Sequence, residues 1–184
     1  RQMCIRDRYA IQVAKDNGCL ISFDPNLRLS LWKTPEEARR RILYGMKQCD
    51  IMKISEEEVA FVSEQESLEK GVSFIRDNSD IKILFVTLGN KGSIAYYKDE
   101  KIYCGGIHQE HVVDTTGAGD TFCGAVLSRI LELGTDALTE KDIREMLLFA
   151  NAAASIVVTR KGALCSMPEP EEIRAASSLI DKVL

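Results

Sequence analysis

With only two histidines and no C-x-x-C pair among its six cysteines, this 184-residue sequence lacks the ligand spacing of a zinc site. Cys4, Cys19, Cys49, Cys104, Cys123 and Cys165 are scattered along the chain, a pattern that fits reduced thiols in a cytoplasmic protein and small residues in its core. A net charge of -4 supplies no basic footprint for nucleic acid. No apolar run approaches the roughly 18 residues that a membrane helix needs, and the opening residues lack the apolar stretch of a signal peptide. There is no internal repeat and no low-complexity linker. A G-x-x-x-x-G-K-[ST] motif is also missing, which excludes a P-loop. The opening RQMCIRDR has no period, and residues 1–8 are set aside as an artefact or disordered start. What is present is ordinary globular composition, 45% apolar and 28% charged, at a length that predicts one domain.

Strand and helix patterns alternate. A helix is predicted around Tyr9 to Asn17, stopped by Gly18, and CLISFD reads as a buried strand ending at Asp24-Pro25-Asn26. Thr34, Pro35 and Glu37 form a helix start with a capping box, and that helix runs to about Gln48. DIMKIS is a second strand, followed by short helices over Ser55–Val62 and Ser67–Asn78, and KILFVTLG a third strand. GSIAYYK and KIYCGGI flank a charged turn from Lys98 to Lys101, as in a hairpin. Phe122, Val126, Ile130 and Leu133 recur at helical spacing, a longer helix runs from near Thr139 to about Val158, and a last one starts at Glu171. Apolar strands alternating with helices predict a mostly parallel sheet covered on both faces.

The stretch that carries chemistry is Asp114-Thr115-Thr116-Gly117-Ala118-Gly119-Asp120-Thr121-Phe122. A Gly-x-Gly run before a helix lets backbone N–H groups converge on one point, and the helix N-terminus favours an anion there. Asp120 could cap that helix, or take a proton from a hydroxyl attacking a bound phosphate; the run alone leaves both open. It does not follow a strand as G-x-G-x-x-G, so a dinucleotide-dependent oxidoreductase is a minor alternative.

The run DTTGAGDTFCGA resembles the second signature of the PfkB (ribokinase-like) carbohydrate kinases. FDPNLRLSLW (Phe23 to Trp32) and KISEEEVAF (Lys53 to Phe61) resemble fructokinases in particular. VTLGNKG (Val86 to Gly92) is similar to the family's nucleotide loop, and NAAASIVVTRKGA (Asn151 to Ala163) to its adenine-side helix and cation loop. The resemblance implies a three-layer, Rossmann-like sheet flanked by helices. It also implies that residues 9–184 are the C-terminal part of one catalytic domain and that the small N-terminal β lid is absent, and it leaves open whether this exact chain is active or inactive alone.

By the same resemblance Asp120 is the general base, also touching substrate, and Gly117, Ala118 and Gly119 form the anion hole for the transferring phosphoryl. Thr87, Leu88, Gly89, Gly92, Gly119 and Asn151 would bind ATP, Asn151 beside the adenine. Ser55 and Glu58 fall on an N-x-x-E motif linked to magnesium and phosphate, with Ser replacing Asn. Glu58 would act on Mg2+ through water and Ser55 on ATP, while a purely structural capping box is the rival. Asp114, Thr116, Val157, Arg160, Gly162 and Ser166 match positions that bind potassium. Arg28 would contact sugar or phosphate, or else pair with Asp24 to hold its loop. Lys53 and the Glu56–Glu58 run otherwise read as a solvated helix start. The implied reaction is transfer of the ATP γ-phosphoryl to a sugar hydroxyl, D-fructose giving D-fructose 6-phosphate, with Mg2+ and K+. A homodimer is expected for the full-length enzyme. A ribokinase, a 2-keto-3-deoxygluconate kinase, a nucleoside kinase or a catalytically incomplete nucleotide-binding fragment are the alternatives.

Overall fold

The computed structural model describes residues 5–180. Cys4 and residues 1–4 of the opening stretch lie outside that range. Five strands form one mostly parallel sheet in the order β1-β2-β3-β4-β5, flanked by helices, so the expected α/β class holds. The backbone groups into two compact units, Arg1–Val86 and Thr87–Leu184.

In the first unit, α1 (Ile5–Asp16) begins four residues before the expected Tyr9 and takes in residues 5–8. β1 (Ser22–Phe23) is far shorter than the CLISFD run predicted. The reason is local. The Asp50 carboxylate accepts the Ile21 N–H at 2.8 Å, while Ile21 O accepts from Asp50 and Ile51, so a side chain replaces the ladder at its start. β1 pairs in parallel with β2 (Ile51–Ser55), Ser22 opposite Ile51 and Phe23 opposite Met52.

α2 (Pro35–Met46) starts as predicted, with Thr34 accepting the Glu37 N–H at 3.1 Å. The return bond from Glu37 that would close a capping box does not form among the described residues. α3 (Glu56–Ser63) does carry a complete box, between Ser55 and Glu58, and α4 (Leu68–Asp77) is capped by Ser67. β3 (Ile83–Thr87) is buried through Val86. The core of this unit is Ala38, Ile42 and Met46 from α2, Met52 and Ile54 from β2, Val59 and Val62 from α3, Val72 and Ile75 from α4, and Ile83 to Val86 from β3. Each large apolar side chain buried this way contributes about 1.5–3 kcal/mol.

The second unit holds the predicted hairpin, β4 (Gly92–Tyr97) antiparallel to β5 (Glu100–Gly105), in a register running from Gly92 opposite Gly105 to Tyr97 opposite Glu100. Lys98 takes the positive φ of 50° that such a tight turn needs. β4 is buried along its whole length, whereas in β5 Ile102 and Cys104 are buried between exposed neighbours. α5 (Ala118–Leu133) packs on α6 (Glu140–Val157), which Thr139 and Asp142 start with a full capping box, and α6 also packs on β4, β5 and α7 (Pro170–Ile180). α6 and α7 each begin within one residue of their predicted starts.

The cysteines divide. Cys49 and Cys104 are core residues as expected, and burial pushes the Cys49 thiol up to about 12. Cys123 is partly exposed, while Cys19 and Cys165 are exposed. Among the described residues no helix is long and apolar enough to cross a membrane.

Candidate active site

The Gly-rich run ends where its sequence places it, at the front of α5. Gly117 is the N-cap, with φ 83° and ψ -6°, a left-handed conformation that costs a side-chain-bearing residue strain. A Cβ there would also sit 3.4 Å from Ala163. Thr121 N–H bonds to Gly117 O at 2.8 Å and starts the helix ladder. Ala118 N–H closes a longer turn onto Thr115 O at 3.3 Å. The Gly119 and Asp120 N–H groups have no acceptor among the described residues, as the first turn of a helix leaves them. Asp120 sits in that first turn, exposed, and no described group donates to its carboxylate. Open amides and an open carboxylate therefore share one helix turn, where the peptide dipoles favour negative charge.

The run before it is tied to the loop after α6. Val113 and Asp114 N–H both bond to Val158 O, at 2.8 and 3.2 Å. Asp114 Oδ1 accepts from Thr116 N–H at 2.9 Å and Oδ2 from Gly162 N–H at 3.3 Å. These hydrogen bonds, Thr116 first, hold the Asp114 carboxyl below its ordinary value. Ser166, fully buried, donates to Gly162 O at 2.5 Å and Ala163 O at 2.7 Å. Arg160 reaches Ser166 O at 3.4 Å and pairs with Glu172 at 2.5 Å, and Val157 O accepts from Arg160 N–H. The six positions matched to potassium thus come together on two adjoining segments.

Thr87, Leu88, Gly89 and Gly92 form a tight loop closed by Leu88 N–H on Gly92 O at 2.8 Å. Gly92 has φ 106°, and a Cβ there would lie 2.2 Å from Cys104 O. Asn151 lies near them but differently from a solvated or open asparagine. It is 7% exposed, its Oδ1 accepts from Ser93 Oγ at 2.9 Å, and its Nδ2 donates to Cys104 O and Gly105 O, each at 3.2 Å. Its amide holds the end of β5.

In the first unit, Asp24 and Arg28 do not pair. Asp24 bonds to Lys53 Nζ at 3.1 Å, both side chains largely buried, and Arg28 Nη1 instead donates to Asn26 Oδ1 at 2.8 Å. Burial raises the Asp24 carboxyl above its ordinary value, and Lys53 works against that shift. Lys53 is 8% exposed and Glu58 9%, so the reading of both as solvated residues at a helix start is overturned. β2 is buried on both faces, and a lysine inside it needs a partner. That requirement was the signal in the sequence for Lys53, which the motif reading missed. Glu58 Oε2 accepts from Ser55 N–H at 2.9 Å, and Oε1 from Leu27 N–H at 2.6 Å.

A family model for the pfkB family carbohydrate kinases matches residues 8–170. The chain belongs to this family. Among curated pfkB-type relatives, fructokinase-1 of Oryza sativa subsp. japonica is 42% identical over 166 residues, 89% of this chain and 50% of that protein. The crystal structure of a double mutant of Vibrio cholerae O395 fructokinase, bound to fructose, ADP and potassium ion, aligns with a TM-score of 0.85 and 32% identity over 95% of this chain and 56% of that one. Aminoimidazole riboside kinase from Salmonella enterica, with its riboside and an ATP analog, aligns with a TM-score of 0.80 and 25% identity, covering 92% of this chain and 56% of that one. The chain spans about half the length of the curated relatives it matches.

Proposed function

We propose that the protein carrying this chain is an ATP-dependent sugar kinase that phosphorylates D-fructose to D-fructose 6-phosphate. The observation that carries the reading is the α5 start, where Gly119 and Asp120 offer open backbone N–H groups beside the exposed Asp120 carboxylate. Asp120 takes the proton of the attacking sugar hydroxyl. The Gly117–Gly119 amides stabilise charge on the moving phosphoryl, Gly119 most directly because Ala118 N–H is already engaged. This division of labour suits phosphoryl transfer, which needs positioning and electrostatic stabilisation more than covalent chemistry.

Thr87, Leu88, Gly89 and Gly92 are assigned to the nucleotide. Asn151 is assigned to shaping the adenine side through the β5 end it holds. Arg28 is assigned to a sugar or phosphate oxygen, since its guanidinium is exposed and only Nη1 is bonded among the described residues. Ser55, the α3 N-cap, is assigned to the nucleotide side as well as to its cap.

The oxygen donors of Asp114, Thr116, Val157, Arg160, Gly162 and Ser166 fit a hard monovalent cation, and potassium bound there would supply fixed positive charge beside the Gly-rich run. Glu58 is assigned to Mg2+ through water, since each of its oxygens already accepts one backbone N–H, from Leu27 and Ser55. Mg2+ is assigned to the nucleotide phosphates and water. Residues 9–184 are assigned to the C-terminal part of one ribokinase-like catalytic domain of a cytoplasmic enzyme, a homodimer at full length.

The fructose assignment rests on relatives of that activity at about 40% identity and on the FDPNLRLSLW and KISEEEVAF stretches. A sugar panel tests it: D-fructose, D-ribose and 2-keto-3-deoxygluconate are offered with MgATP, and phosphorylated product is measured. Fructose should give the highest kcat/KM. A wide preference for ribose would replace fructokinase by ribokinase, and transfer to none of the three would remove the sugar-kinase reading.

A further inference from the structure

The loop 24–28 is held at two points by charged side chains from the β2–α3 corner, and each point is buried or nearly so. At its start, Lys53 Nζ bonds to Asp24 Oδ2 at 3.1 Å, with side-chain exposures of 9% and 16%. At its far side, Glu58 Oε1 accepts the Leu27 N–H at 2.6 Å. Between them the loop locks itself: Asp24 Oδ1 accepts the Asn26 N–H at 3.1 Å, and Asn26, at a φ of 43°, takes the Arg28 Nη1 donor at 2.8 Å.

A buried ion pair is weak evidence for stability, because desolvation consumes most of its Coulomb gain. Its surviving value is geometric, and here the geometry ends on one exposed guanidinium. Glu58 supports this from the other side. Its Oε2 is fixed by Ser55 N–H within the capping box, so the carboxylate is already oriented when Oε1 meets Leu27.

We propose that Lys53 and Glu58 are positioning residues, a two-point clamp that fixes the 24–28 loop so that Arg28 is presented to a phosphoryl oxygen of the phosphorylated sugar. The proposal rests on the assignment of Arg28 above; neither clamp residue touches substrate itself.

The test uses the intact protein with two readouts, affinity for fructose 6-phosphate by calorimetry and hydrogen exchange of the Leu27 amide by NMR. Arg28→Gln and Lys53→Met should each weaken fructose 6-phosphate by about tenfold or more, since a hydrogen bond to a charged group is lost or misplaced. The double variant should bind no more weakly than Arg28→Gln alone, because both changes remove one interaction. Lys53→Arg keeps the ion pair and should bind like the wild type. Glu58→Ala should speed Leu27 exchange by about tenfold through loss of its charged acceptor. Losses that multiply in the double variant, or Lys53→Arg behaving like Lys53→Met, would overturn the clamp. So would unchanged Leu27 exchange in Glu58→Ala together with a raised Mg2+ requirement, which would place that carboxylate on the metal side. If Arg28→Gln leaves affinity untouched, the assignment of Arg28 fails, while Leu27 exchange still decides whether Glu58 holds the loop.

Discussion

Asp24 and Asp114 open two turns by the same local bond. In each, Oδ1 accepts the backbone N–H two residues on, Asn26 at 3.1 Å and Thr116 at 2.9 Å. In each, Oδ2 reaches a distant segment, and there they part. Asp24 meets a buried ammonium, Lys53, whereas Asp114 Oδ2 meets the Gly162 amide. Burial raises the first carboxyl and hydrogen bonds lower the second. The left-handed residues differ as well: Asn26 at φ 43° uses its side chain to hold Arg28, while Gly117 at φ 83° leaves room against Ala163. One turn is built to aim a side chain, the other to expose backbone. A carboxylate whose partner is a charge constrains one point rigidly; one whose partners are amides shapes a longer run.

Breaking the first turn should cost most. Lys53→Met leaves Asp24 buried without its cation and should lower stability by about 3 kcal/mol in chemical denaturation, the lower end for a broken buried pair because Asp24 can protonate. A loss below half of that would show the pair to be solvated in solution. Gly117→Ala comes next, at about 2 kcal/mol for a side chain forced into the left-handed region. It should also weaken nucleotide-dependent turnover, and a neutral effect on both would remove the strained N-cap from the account.

The smallest effect sharpens the contrast by pH. Asp24, with a raised folded pKa, contributes stability that is present below its unfolded value and lost as pH rises through the folded one. Asp114, with a lowered folded pKa, contributes stability that is present above its unfolded value, about 3.9, and lost as pH falls through the folded one. Carboxyl NMR titration should therefore find Asp24 protonating at higher pH than Asp114. The reverse order would invert the comparison.

Most elements were legible because their start signals are local. Ser55 with Glu58, Thr139 before α6 and the Gly117 run each announce a helix within four residues. β1 was misjudged because its first ladder bond is taken by Asp50, 29 residues away, which no local pattern records. The partner of Asp24 was not legible for the same reason: Arg28 is near in sequence, but Lys53 is near in space. Asn151 is another residue whose neighbours, Ser93, Cys104 and Gly105, only the fold supplies. Site residues on one contiguous turn could be read directly; those joined across elements could not.

The central claim is that the carboxylate beside the open α5 amides accepts a proton from the sugar. Asp120→Asn keeps the size and the helix turn while removing the base. Turnover of fructose with MgATP should fall by about 10²–10⁴-fold, with nucleotide affinity unchanged. Turnover equal to that of the wild type would contradict the assignment and leave the Gly-rich run an anion site without a base.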